Sequence, residues 1–229
     1  MIAASKKLSL KFKLKWNDIY LMAPVNKNEI DLTNNPVVRL INATDIGQVL
    51  ELYKPFVTLT TITPEYQVPR LEDFSREIKN TADYYPVLVC EVNNIVIGYT
   101  LAKRYRLAAG HQWSAETSIY VESGHQGRGV AKVLYQALFN ILKLQGIVNV
   151  FAGLVLPNTK SEVFHKNLGF QEVGIFYEGI YKLGNWHDVK WLQLSLNEHS
   201  KNPLPPKSIR EVMETPIFKT ILEQANNFR

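Results

Sequence analysis

A single cysteine in 229 residues excludes any disulfide within the chain. That residue, Cys90, lies in the apolar run PVLVCEV with no basic neighbour to hold a thiolate, so it reads as a packing residue, not a nucleophile. No apolar run approaches the roughly 18 residues of a membrane-crossing helix, and the N-terminus lacks the basic, apolar and small-residue order of a secretory signal. Cys and His do not cluster at metal-ligand spacing, so no metal is expected. These absences together predict a cytoplasmic protein without a membrane span. Acidic residues are also missing from residues 1–15, which hold Lys6, Lys7, Lys11, Lys13 and Lys15. The rest of the chain carries 21 basic and 21 acidic groups, so the net charge of +5 belongs to this tail. Nucleic-acid binding needs a basic face on the folded domain, and no nucleic-acid partner is predicted.

What is present is apolar content of 46%, enough for one domain with a sizeable core plus tails. Residues 1–35 read as a basic N-terminal extension in which Leu8, Leu10, Phe12, Leu14 and Trp16 alternate at strand period. Residues 36–196 read as the folded domain. Beyond Pro203, Pro205 and Pro206, residues 197–229 read as a helical tail docked on the core.

Within the domain, NNPVVRLI suggests a first strand. Thr44 is placed to cap a helix with Ile46, Val49, Leu50 and Tyr53 on one face, ending near Pro55. A Thr- and Pro-rich loop and a short helix through Leu71, Phe74 and Ile78 follow. The runs PVLVCEV and IVIGYTLAKRY, joined by Asn93-Asn94, form a hairpin. In WSAETSIYV, Ala115, Thr117, Ile119 and Val121 share one face, and Glu116, Ser118 and Tyr120 the other. Val130, Val133, Leu134, Ala137, Leu138, Ile141 and Leu142 keep helical spacing until Gly146. A buried strand, a helix from Asn158 to Leu168 and two closing strands complete a mixed α/β layer structure.

The loop GHQGRG, immediately before that long helix, reads either as a glycine-rich strand-to-helix turn that binds nothing or as a ligand loop. Glycines let backbone amides approach closely, and the helix start offers unpaired N–H groups and a positive dipole end, which together favour an anion such as phosphate. A P-loop would need Lys and Ser or Thr after Gly129, where Val130 and Ala131 stand. A dinucleotide fingerprint would need a small residue where Lys132 lies and an acid on the next strand, which has none.

The remaining pattern, Gln126-x-x-Gly129-x-Ala131, resembles the pyrophosphate loop of the general N-acetyltransferase (GNAT) superfamily. Four local matches, WSAETSIYV, GHQGRGVAKVLY, GLVLPN and FHKNLGFQEVG followed by GNWHDV, make residues 36–196 similar to its phosphinothricin acetyltransferase-like branch. The resemblance implies the acyl-CoA N-acyltransferase fold, an α/β structure with a mixed, mostly antiparallel central sheet flanked by helices. It also implies acetyl-CoA as co-substrate.

The same resemblance assigns roles. Glu116 matches the general base, with an ion pair to Lys or Arg as its plain structural alternative. Backbone groups of Ile119, Tyr120 and Val121 bind the pantetheine arm. Gln126, Gly127, Arg128, Gly129, Val130 and Ala131 hold the pyrophosphate, and Asn158 and Lys166 add cofactor contacts, Asn158 reading equally as a helix cap. His165 stands where many members carry the tyrosine that protonates the departing thiolate; acid, cofactor contact and packing residue all stay open for it. The acceptor half departs from the pattern, with Thr58 where an acid is expected and His111 where a tyrosine is usual. Phe56, Thr58, Thr61 and His111 are the candidate acceptor-binding residues.

The function expected is acetyl transfer to a primary amine of a small, amino-acid-like metabolite by direct attack. An acetyl-CoA-binding module with weak catalysis and a protein or peptide N-acetyltransferase are the alternatives. The pattern also allows a homodimer.

Overall fold

The computed structural model describes residues 36–227; the basic extension read at residues 1–35 lies outside them. The elements run β1 (Val37–Leu40), α1 (Ile46–Leu59), α2 (Leu71–Ala82), β2 (Val87–Val92), β3 (Ile95–Arg104), β4 (Ser114–Val121), α3 (Val130–Gln145), β5 (Asn149–Val155), α4 (Thr159–Asn167), β6 (Gln171–Lys182), β7 (Asn185–Ser195), α5 (Ile209–Met213) and α6 (Pro216–Asn226). Among the described residues seven strands form one sheet in the order β1-β2-β3-β4-β5-β7-β6. Every neighbouring pair is antiparallel except β4 and β5. This is the GNAT acyl-CoA N-acyltransferase fold that the resemblance implies.

Each face of the sheet is covered by helices whose apolar stripes the periodicity locates. On one face Ile46, Val49, Tyr53 and Val57 of α1 and Phe74 and Ile78 of α2 pack against Val87, Val89 and Tyr99. On the other, Val133, Leu134, Leu138 and Ile141 of α3 meet Leu88, Ile97 and Val150, each full burial worth about 1.5–3 kcal/mol. Cys90 is fully buried on this side, and desolvation pushes its thiol up to about 12, as suits a packing residue.

Two local readings are corrected. Helix α1 does not end near Pro55 but runs through it to Leu59. Proline removes one helical N–H and clashes with the preceding turn, at a cost of about 3 kcal/mol. Tyr53 and Val57, both buried on either side of it, hold the helix against the sheet and offset that cost. Thr44 does not cap the helix either. Asp45 occupies the cap position, and its carboxylate is engaged by the Asn42 N–H at 2.8 Å and by the Arg39 guanidinium.

The C-terminal helices are part of the core. Ile209, Val212, Phe218 and Ile221 are buried among the α3 side chains. At the far end the Asn226 side-chain amide serves both groups of one edge residue: the Val38 N–H donates to its Oδ1 at 2.6 Å, and its Nδ2 donates to the Val38 carbonyl at 3.2 Å. An edge strand leaves such groups unpaired, so Asn226 substitutes for a missing strand there.

Candidate active site

The glycine loop reaches α3 in a conformation that side chains resist. Gly127 and Gly129 have φ of +76° and +87°, in the left-handed region. A Cβ built on Gly124, Gly127 or Gly129 would meet nothing within 4 Å, so the outer side of the loop is open. Among the described residues no side chain caps α3, and no acid stands in its first turn. Its first N–H groups and positive dipole end are therefore free for an anion, with Arg128 and Lys132 exposed beside them. The Gln126 side chain turns back, Nε2 donating to the Val121 carbonyl at 3.1 Å, and so ties the loop to the end of β4. Val130 is buried and anchors the helix start, whereas Ala131 is half-buried. This open, cationic, glycine-lined helix start fits a pyrophosphate group.

From the loop a cleft follows β4. Strands β4 and β5 pair at only three positions, Ser114 with Asn149, Ala115 with Val150 and Glu116 with Phe151. Past Glu116 they part, with Thr117 Oγ1 donating to the Phe151 carbonyl at 3.3 Å where they do so. Ile119, Tyr120 and Val121 lie in the parted stretch, paired among the described residues with β3 only, through Thr100, Tyr99 and Gly98.

Glu116 is the last β4 residue in register with β5. Its Oε1 lies 3.5 Å from Lys103 Nζ on β3, with 26% of the Glu116 side chain exposed. The ion pair weighed as its structural alternative is therefore present. Beside it, Tyr105 stacks on Phe151 at 4.4 Å between ring centroids and meets Trp191 and His111 edge-on. The buried Trp191 Nε1–H has no acceptor among the described residues.

The four acceptor candidates are not brought together. Phe56 and Thr61 line a cavity of about 820 Å³ between α1, the glycine loop and the β6–β7 hairpin, with Gln126, Pro157 and His187 in its other walls. Thr58 is exposed, because α1 continues past it, and its hydroxyl donates to the Lys54 carbonyl at 3.0 Å. His111 sits apart, edge-on to Tyr105.

Behind the cavity wall lies a polar network that the sequence reading missed. Tyr53 OH donates to Glu65 Oε2 at 2.8 Å and lies 2.6 Å from Thr63 Oγ1. Lys182 Nζ, from the hairpin, donates to the Thr63 carbonyl at 2.7 Å. No local pattern marks these residues, because Lys182 ends an ordinary strand and Glu65 lies in an irregular loop.

His165 is buried in an aromatic box of Tyr135, Phe164 and Phe170. Its Nδ1 lies 2.8 Å from the Ser161 carbonyl, which only accepts, so Nδ1 carries the proton. Nε2 then faces Tyr135 OH at 3.4 Å as an acceptor. Burial lowers the His165 pKa, against the pull of the Ser161 carbonyl, and favours the neutral ring. Asn158 caps α4, accepting from the Ser161 N–H at 3.3 Å, and Lys166 is exposed on that helix.

A family model described as an acetyltransferase (GNAT) domain matches residues 38–191. Phosphinothricin N-acetyltransferase from Streptomyces viridochromogenes is 28% identical over 177 residues, which are 77% of this chain and 94% of that protein. L-amino acid N-acyltransferase MnaT from Escherichia coli is 28% identical over 171 residues, 72% of this chain and 96% of that one. Among solved structures, yncA of Salmonella typhimurium, a putative acetyltransferase with its cofactor acetyl-CoA, superposes with a TM-score of 0.70 at 28% identity, covering 73% of this chain and 98% of its own.

Proposed function

The chain belongs to the GNAT acetyltransferase family and is an acetyl-CoA-dependent acyltransferase, and from that premise we propose that it acetylates the primary amine of a small amino-acid-like metabolite. The observation that carries this reading is one line of features. An open anion cradle at the start of α3 leads into the gap between β4 and β5, and the gap begins at a carboxylate, Glu116. Acetyl-CoA supplies a thioester; the residues of this chain bind, orient and deprotonate. Gln126 to Ala131 hold the pyrophosphate, with Arg128 and Lys132 adding charge. The backbone of Ile119 to Val121, unpaired on the β5 side, provides strand-like partners for the pantetheine amides.

Glu116 is the general base. An amine of pKa about 10 is mostly protonated near pH 7, so turnover includes removal of that proton, directly or through water. Lys103 holds the carboxylate in one orientation. His165 supports α4 and the Tyr135 hydroxyl by packing: its neutral ring gives its one proton to the Ser161 carbonyl and has none to offer a thiolate. A thiol of pKa about 8.5 leaves without an acid.

An amine panel with acetyl-CoA, read by released thiol, tests the reading. Turnover of small amino-acid-like amines above peptides is the expected result. Acetyl-CoA binding with no turnover would make the protein a binding module, and peptides outrunning metabolites would make it a peptide acetyltransferase.

A further inference from the structure

Lys182 is 2% exposed, a burial that charged side chains reach only with partners. An ammonium has three N–H donors, and among the described residues Lys182 uses one, to the Thr63 carbonyl. No carboxylate among those residues stands at ion-pair distance from it. Glu65 acts on it from farther away while accepting from Tyr53 OH, and burial lowers the Lys182 pKa against that attraction. The residues around it border the cavity of about 820 Å³. Leu183, Asn185 and His187 line it, as does Thr61, two residues from the carbonyl that Lys182 holds. His187 Nε2–H donates to the Lys182 carbonyl at 3.0 Å, which fixes the hairpin beside the wall. A buried cation with spare donors, directly behind residues that line a cavity, favours an anion in that cavity.

We propose that Lys182 sets the charge of the acceptor, favouring amines that carry a carboxylate or similar anion and disfavouring amines that carry a second cation. The inference rests on the N-acetyltransferase reading above and names a specificity-determining residue for it. The effect is electrostatic: Lys182 is not itself a lining residue, so its charge acts through the wall formed by Leu183, Asn185 and His187, where screening is weaker than in bulk water. Glu65 moderates the effect, because its carboxylate opposes the Lys182 charge.

The test compares L-amino acids, each against its decarboxylated amine, by kcat/KM with saturating acetyl-CoA. The wild-type chain is expected to prefer the best amino acid over its decarboxylated partner by tenfold or more. Lys182→Met should shrink that ratio by tenfold or more through a higher KM for the amino acid, and Lys182→Arg should recover part of it. Calorimetric acetyl-CoA binding reports whether each variant is folded. If Lys182→Met does not fold, Glu65→Gln gives an independent readout: removing the opposing carboxylate should raise the preference. An unchanged ratio in Lys182→Met, or in Glu65→Gln where only that variant folds, overturns the inference and leaves the acetyltransferase reading standing. So does an equal loss on both amines, which would mark Lys182 as a structural tie, or a wild-type chain indifferent to the carboxylate. Turnover of no amine at all removes the acetyltransferase reading and this inference with it.

Discussion

Lys103 and Glu116 face each other across β3 and β4, with 3.5 Å between Nζ and Oε1, at the last position where β4 stays in register with β5. In the proposed function, this carboxylate at the mouth of the parted strands is the group that receives the proton of the reacting amine. The pair is partly exposed, so its strength as an ion pair is modest, and its consequence is orientation rather than stability.

Glu116→Gln keeps the size of the side chain and removes the proposed base. It should lower kcat by about 10² to 10⁴, with acetyl-CoA affinity nearly unchanged, and activity should partly recover at high pH where the amine deprotonates unaided. Steady-state kinetics from pH 7 to 10 check this. Wild-type kcat in the variant would reduce Glu116 to an ion-pair residue.

Gly129→Ala should affect two properties at once. With φ at +87° the new methyl strains the backbone by about 1 kcal/mol, which a urea melt resolves. The methyl also enters the open side of the cradle, so acetyl-CoA affinity measured by calorimetry should fall more than the stability loss explains. A loss of affinity no larger than the stability loss would point to a turn that binds nothing.

His165 ties stability to pH. Its folded pKa is depressed by burial below the ordinary value of about 6.5, so the unfolded chain takes up its proton first as pH falls. The contribution is fully present above about pH 6.5 and is lost as pH falls from there towards the folded pKa, with a slope of at most about 1.4 kcal/mol per pH unit. Urea denaturation between pH 5 and 8 should show a shallower slope in His165→Phe than in the wild type. Identical slopes would mean another group dominates.

Asn226→Ala removes both hydrogen bonds to Val38 and leaves the edge-strand groups half-buried without a partner. The expected cost is roughly 1–3 kcal/mol in a urea melt, with acetyl-CoA affinity retained. A stability change under about 0.5 kcal/mol would show that water replaces the amide there.

Much of this molecule was written locally. The spacing of Val130, Val133, Leu134, Leu138 and Ile141 is a helix period, and the alternation in WSAETSIYV is a strand period. Both depend only on which side of a regular backbone a side chain leaves. The glycines before α3 were legible for the same reason: a positive φ is a property of one residue, and Gly127 and Gly129 have it. Asn158 reads locally both as a helix cap and as a cofactor contact, and its side chain caps α4.

What remained was decided between segments far apart in the chain. Pro55 reads locally as a stop, and the burial of Tyr53 and Val57 against a sheet formed later in the chain carries the helix through it. That extension places Thr58 on the outside and Thr61 in the cavity wall. His165 could be an acid, a cofactor contact or a packing residue on local evidence; Tyr135 and Phe170, brought in from α3 and the turn before β6, enclose it in a dry box. The Lys103 contact to Glu116 follows from strand register, and the Lys182 bond to the Thr63 carbonyl joins residues 119 positions apart. A short stretch of sequence sets backbone conformation and which face is apolar. The charge, dryness and company of a side chain depend on what the rest of the chain brings beside it.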